Sequence, residues 1–321
     1  MQLLPVKECC ELVDSTDMTI RNWIKEGKLN EYKDNKDRLL VDKRELLELY
    51  PTVISLYNER GGSNKTMSCI LLADYYEKLF RQQEKNKNKI LICDLDPQSS
   101  CSQIYFTYNE LYGSDDDSDK YLTLYNYFEN KTPLSKIIKP YNSIIDVLPA
   151  DIKMSSKTGI DSFELTKLKK DFELIFKKYT LVIIDNMPSI SALSRLGVLL
   201  ANYVFCPLLL DDNSFRALAL ALTTIQDVVA YNKGFIDFRC FISSYRSHKT
   251  NIREYVFEKY QTQLKEKLLT SHVPDFVGVV ERETVKENLF DKYSSDKAVE
   301  KILEFMDEID RLIYEKRGLN G

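Results

Sequence analysis

The sequence predicts an α/β protein: a doubly wound, mostly parallel sheet preceded by a small helical domain. Three observations lead there. After Pro51, short apolar runs alternate with longer stretches of helical pattern. The runs are continuously apolar rather than alternating, which suits parallel strands buried on both faces. The adjacent glycines Gly61-Gly62 separate the first run from a helix opening with Lys65-Thr66.

A chain of 321 residues allows about two domains. The boundary is placed at 1–50 and 51–321. Lys and Arg total 45 against 49 Asp and Glu, a net charge of -4. Bulk charge therefore does not drive nucleic-acid binding, although a local basic face can. Hydrophobic residues at 44% exclude wholesale disorder. No apolar run approaches the ~18 residues of a membrane span. The start, MQLLPVKECCELVD, lacks the layout of a secretory signal. The seven cysteines form no CxxC pair, so zinc or a disulfide framework is not expected. His248 and His272 read as surface residues. A cytoplasmic protein is the expectation.

Within residues 1–50, Pro5–Val13 reads as a helix with Val6, Cys9, Cys10 and Val13 on one face. Residues 14–17 are a turn with capping side chains. Met18–Glu26 reads as a second helix, stopped by Gly27. Leu29–Asp42 reads as a small hairpin, and Lys43–Tyr50 as a third helix capped by Asp42. Two short helices joined by a tight turn are the helix-turn-helix pattern. Trp23 and Ile24 are read as core. After Pro51 the strand candidates are Val53–Tyr57, Ile90–Cys93, Ile144–Leu148, Leu181–Ile184, Val204–Leu210 and Cys240–Ile242. Arg81–Lys89 is a solvated connection and Gly113–Lys120 an acidic surface loop.

The chemistry concentrates in TVISLYNERGGSNKTMSCILLADYYEKL. A strand, a glycine-bearing loop and Lys-Thr at a helix start make the layout of a phosphate-binding loop. Backbone N–H groups and the helix N-terminus offer positive potential to phosphate. Lys65 is placed to meet β- and γ-phosphates, and Thr66 to hold Mg²⁺.

This stretch resembles the deviant Walker A loop of the ParA/Soj/MinD ATPases, written xKGGxGK[ST]. KILICDLDPQSSCS is similar to the A′ motif of that family, and YTLVIIDNMPSIS to its Walker B and switch II segment. IIDVLPADIKMS, NYVFCPLLLDDNSFRALA, FISSYRSHKTNIREYV and the stretch through FDKYSSDKAVEKILEFMDEI resemble further family segments, in order over about residues 50–310. The segment VKECCELVDSTDMTIRNWIKEGKL resembles the MerR and excisionase type of winged helix-turn-helix.

The resemblance implies a P-loop NTPase fold and a set of roles. Gly61, Gly62, Ser63, Asn64, Lys65, Thr66, Met67, Asp94 and Pro207 are expected to bind ATP. Lys65, Asp96 and Arg60 are expected to be catalytic, with Asp96 orienting the attacking water. Thr66 and Asp185 are expected to hold Mg²⁺. The implied protein is a nucleotide-sandwich homodimer that partitions plasmids or chromosomes. It associates with the nucleoid by binding DNA, binds its own operator, and answers to a centromere-binding ParB-like protein. DNA contacts are expected from Thr19, Arg21, Lys25, Lys28 and Arg38, and from Arg246, Lys249 and Arg282; Arg253 and Lys286 share that basic stretch.

The sequence departs from the family pattern at four places. Arg60 replaces the signature Lys, keeping the charge but changing its reach. Asn64 replaces a glycine where the backbone is left-handed, and Asn is the next most tolerant residue there. Met67 replaces a second Thr. Glu59 brings negative charge near the phosphates unless it points away. A second reading is therefore a DNA-binding regulator with a weakly hydrolysing nucleotide domain. A membrane protein of the MinD type is disfavoured because charges interrupt LIYEKRGLNG. A metabolic amidoligase of the same fold is disfavoured by the helix-turn-helix pattern.

Overall fold

The computed structural model describes residues 2–13, 15–82, 88–113, 120–156, 162–232, 234–245 and 251–317. Arg246, Lys249 and His248 lie outside the described residues, as do 83–87 and 114–119, most of the expected connection and acidic loop.

The first 50 residues form a small unit with its own core. Strand β1 (Leu3–Pro5) leads into helix Val6–Leu12, then helix Asp17–Lys25. Strands β2 (Tyr32–Lys33) and β3 (Leu39–Asp42) follow, then helix Lys43–Glu48. The sheet order is β1-β3-β2, antiparallel throughout, so the expected hairpin gains a third strand. Val6, Cys9, Ile20, Leu29, Val41 and Leu46 fill the core, and Trp23 and Ile24 pack against it. The Thr16 hydroxyl caps the second helix by accepting from Thr19 N at 3.2 Å. Gly27 follows that helix at φ 69°, a left-handed conformation that releases the chain into the hairpin.

The larger unit is built on β4 (Thr52–Leu56), β5 (Ile90–Asp94), β6 (Lys139–Pro140), β7 (Ile145–Leu148), β8 (Leu181–Asp185), β9 (Tyr203–Leu208), β10 (Asp237–Tyr245) and β11 (Leu268–Pro274). Its order is β11-β10-β9-β4-β8-β5-β7-β6. All neighbours are parallel except β6 with β7. Successive residues of one strand point to opposite faces. Ile54 and Leu56 of β4, with Ile90 and Ile92 of β5, enter one core beside helices Lys65–Gln82 and Lys297–Arg317. Val53, Leu91 and Cys93 enter another, against Leu168, Phe172 and Phe176 of helix Ser162–Phe176. Both faces are dry, which is why the strands read as unbroken apolar runs. The doubly wound, mostly parallel sheet is as expected. The two outermost strands have no counterpart in the sequence reading. β6 holds two residues, and β11, LLTSHVP, is amphipathic because one side is solvated.

Several expectations need correction. Arg282 is not a surface DNA contact. It is 2% exposed, with Nε donating to Asp74 Oδ2 at 3.1 Å and Nη2 to Oδ1 at 3.4 Å. Tyr105 and Tyr141 flank its guanidinium at 5.7 and 5.8 Å. Lys286 is also turned inward: its ammonium donates to the Gln103 and Ile104 carbonyls at 2.8 and 2.6 Å. Arg282 thus ties segment 278–293 to helix Lys65–Gln82, and Lys286 ties it to helix Ser100–Tyr105. His272 is half-buried against the Tyr245 ring, and burial lowers its pKa. The seven cysteines are free thiols, all buried except the half-buried Cys10. Among the described residues no helix is long and apolar enough to cross a membrane.

Removing one member of a buried ion pair strands the other in low dielectric. Arg282→Ala is expected to destabilise the protein by about 3–5 kcal/mol, read as a lowered urea midpoint. An unchanged midpoint would contradict the inward placement.

Candidate nucleotide-binding site

The site forms where three parallel strands end level. Leu56 of β4 lies opposite Asp185 of β8, and Asp185 opposite Asp94 of β5. The crevice beyond the carboxyl ends of such strands is where open α/β sheets bind ligands. Residues 57–64 turn across this end and deliver Lys65 to the first turn of helix Lys65–Gln82. Gly62 at φ 70° and Asn64 at φ 68° are both left-handed. Asn64 thus takes the backbone that its glycine-like position demands.

The loop is held from several sides. Asn58 is buried; its Nδ2 donates to the Pro207 carbonyl at 2.8 Å and its Oδ1 accepts from Arg60 N at 2.9 Å. Pro207 itself is a buried residue of β9 and meets the loop through that carbonyl. Glu59 points away from the crevice: its Oε1 accepts from Tyr57 and Thr224 hydroxyls, both at 2.9 Å. The charge that threatened phosphate affinity is held instead against helix Asp212–Val229. Ser243 Oγ donates to the Ser63 carbonyl at 3.2 Å, and Asn64 Nδ2 to Ser244 Oγ at 2.7 Å. Gly61 is exposed, and half-buried Met67 packs against the core.

Lys65, Thr66 and the strand-end acids form the charged centre. Lys65 is 6% exposed, and its ammonium donates to the Arg60 carbonyl at 3.0 Å. Burial lowers its pKa, while Asp185 and Asp96 pull it back up. Thr66 Oγ1 donates to Asp185 Oδ2 at 2.6 Å. Asp185 Oδ1 is buried with no hydrogen-bond partner. Burial pushes the Asp94 and Asp185 carboxyls up; the Asp185 charge raises Asp94 further, and the Asp96 charge raises Asp185. Asp94 accepts from Ser102 N and Oγ at 2.9 and 2.6 Å, and from Asp96 N at 3.0 Å. It braces the A′ loop. Asp96 is half-buried, with Oδ1 accepting from Gln98 N at 2.9 Å. Asn186 donates to Ser55 Oγ and the Leu56 carbonyl at 2.7 and 2.9 Å, locking the end of β8 to β4.

Arg60 folds back onto the start of helix Asp212–Val229. Its Nη1 donates to Asp211 and to Ser214 Oγ. Asp211 is the N-cap of helix Asp212–Val229 and accepts from Ser214 N at 2.9 Å. Asp211, Ser214, Ser102, Ser243 and Ser244 were not identified from the sequence. Only Asp211 carried a signal, as a capping acid before a helical stretch.

In the small unit, Arg21, Lys25, Lys28 and Arg38 are exposed. Arg21 pairs with Asp17, Lys28 with Glu26 at 2.6 Å and Arg38 with Asp34 at 2.6 Å. Thr19 does not join them. Its hydroxyl meets that of Thr16 at 2.8 Å, and the residue lines a cleft of about 270 Å³ with Trp23, Tyr50, Phe176 and Phe235.

This mostly parallel sheet with a loop at its strand ends is a fold of the P-loop NTPase type. The chain belongs to the AAA domain family, whose model matches residues 51–237. It is 26% identical over 235 residues to the chromosome-partitioning ATPase Soj of Treponema pallidum, covering 70% of this chain and 83% of that protein. It is 23% identical over 235 residues to the chromosome partitioning protein ParA of Caulobacter vibrioides, covering 71% and 82%. Among solved structures, an ATP complex of a Cyanothece McdA variant matches at a TM-score of 0.65, 14% identity and 81% and 97% coverage. A plasmid partition protein from Borrelia burgdorferi matches at 0.60, 19% identity and 80% and 98% coverage.

A carboxyl whose pKa rises on folding contributes stability below the ordinary carboxylate range and loses it as pH climbs through the raised value. Asp185→Asn removes one of two adjacent buried acids. As pH rises from 4 to 8, the nucleotide-free, metal-free variant should therefore lose less thermal stability than the native chain. Parallel Tm–pH curves would refute the burial argument.

Proposed function

We propose that the chain is a ParA-type ATPase that binds ATP with Mg²⁺ and serves plasmid or chromosome partition. The observation that carries this is the convergence of the Lys65 ammonium, the Thr66 hydroxyl and the partnerless Asp185 oxygen at the strand ends. A buried carboxylate oxygen without a donor is costly unless a ligand meets it. Relatives named as partitioning ATPases supply the biological class.

The Thr66 hydroxyl and the Asp185 carboxylate are oxygen ligands of the kind a hard divalent cation takes, and would hold one there once the hydrogen bond between them opens. Such a cation would neutralise phosphate charge there. Gly61 to Thr66 would cradle the phosphates with backbone N–H groups, and Lys65 would exchange the Arg60 carbonyl for phosphate oxygens. Asp96, beside Lys65 and Asp185, would orient the attacking water. For Arg60 to reach a second subunit's nucleotide in a homodimer, it must leave Asp211. The small unit is read as a winged helix-turn-helix that binds DNA, including the operator, through Arg21, Lys25, Lys28 and Arg38. The assembly would associate with the nucleoid and respond to a centromere-binding ParB-like protein.

The pairing of Arg60 with Asp211 also favours a second reading, a DNA-binding regulator that holds nucleotide with little turnover. Phosphate release with ATP, Mg²⁺, DNA and a centromere-binding partner separates the two. Release that disappears in Asp96→Ala, with ATP binding retained, supports the ATPase. Tight binding without release supports the regulator.

Lys65→Ala is expected to abolish measurable ATP binding by calorimetry while residues 1–50 stay folded. Undiminished binding in that variant would overturn the site assignment.

A further inference from the structure

Asn64 stands where the resembling loops carry glycine, and its side chain is not idle. Its Nδ2 donates to Ser244 Oγ at 2.7 Å and lies 3.4 Å from Ser243 Oγ. Ser243 Oγ in turn donates to the Ser63 carbonyl at 3.2 Å and sits 3.3 Å from the Leu208 carbonyl of β9. Residues 63 and 64 are therefore stitched to the C-terminal end of β10 by two side chains. Both Asn64 and Ser244 are conformationally selected, with φ 68° and φ 48°. A non-glycine residue stays in that region only when its surroundings hold it there. Glycine at 64 would satisfy the backbone alone and leave Ser244 without this donor.

The stitched peptides matter chemically. Ser63, Asn64 and Lys65 contribute the N–H groups that end the loop and begin the helix, the groups an anion meets there. Rotating the 63–64 peptide to follow a phosphate must pull on Ser243 and Ser244. The strain passes to the end of β10, where the Tyr245 carbonyl also accepts from Asp275 N at 3.1 Å.

We propose that Asn64 is a positioning residue that fixes the phosphate-binding loop through Ser244 and transmits nucleotide occupancy of that loop to the end of β10. This rests on the nucleotide reading above and adds a route by which that site is sensed.

The test is a double-mutant cycle in the full-length protein: Asn64→Gly, Ser244→Ala and both together. Asn64→Gly keeps the left-handed backbone accessible, and Ser244→Ala keeps the Cβ, so both variants should fold. ATP affinity is measured with Mg²⁺ present. Amide hydrogen exchange of residues 61–66 and 242–245 is followed with and without ATP. Each single variant should weaken ATP binding by about fivefold, the scale of one neutral hydrogen bond. The double variant should be no weaker than the worse single one, because one contact is being removed. In native protein ATP should slow exchange in both segments; in Asn64→Gly the slowing of 242–245 should shrink, because only the Ser243–Ser63 bond then links the loop to β10, while that of 61–66 remains.

Independent, additive losses, or ATP protection of 242–245 that is undiminished in Asn64→Gly, would overturn the coupling. A native chain that binds no ATP would instead overturn the nucleotide reading, and the coupling with it.

Discussion

The register of β4, β8 and β5 is the constraint on which the rest depends. Because Leu56, Asp185 and Asp94 end level, two carboxylates and the mouth of the loop share one dry edge of the sheet. Like charges at that spacing in low dielectric repel strongly. The compensating groups come from the same few residues: the Lys65 ammonium, the Thr66 hydroxyl, and the Ser102 donors on Asp94. Asp185 Oδ1 is left over. A slip of one residue between these strands would turn the acids to the wrong face, since side chains alternate along a strand.

The loop's departures from the expected pattern are absorbed by its neighbours. Glu59 is drawn off by Tyr57 and Thr224, and Arg60 by Asp211 and Ser214. Both sets of contacts involve helix Asp212–Val229 or its cap, so that helix controls the entry to the loop. Asn64 fastens the exit to β10. The loop is thus held by side-chain bonds to neighbouring elements on both sides of Gly61-Gly62.

The small unit presents a mixed surface. Its exposed cations on the second helix and hairpin are largely paired with nearby acids. Such exposed pairs are weak, at about 0–1 kcal/mol.

Much of the fold was legible because burial on both faces writes itself into a strand as an unbroken apolar run: ILIC, LVII and VFCPL are strands in any reading. Gly61-Gly62 followed by Lys65-Thr66 marked the loop, because the left-handed backbone taken at Gly62 favours glycine. The short edge strands were hidden, since a solvated side breaks the run in LLTSHVP and two residues carry no pattern. Arg282 and Lys286 looked like surface charge because sequence shows a cation but not the carboxylate or carbonyls it meets. Asp74 lies 208 positions from Arg282. The sheet type and the layout of the loop are written in the chain, as products of local backbone preference and hydrophobic period. Where Glu59, Arg60, Asn64 and Arg282 point emerges from the folded chain alone, because partners such as Thr224, Asp211, Ser244 and Asp74 are set by long-range packing rather than by chain neighbours.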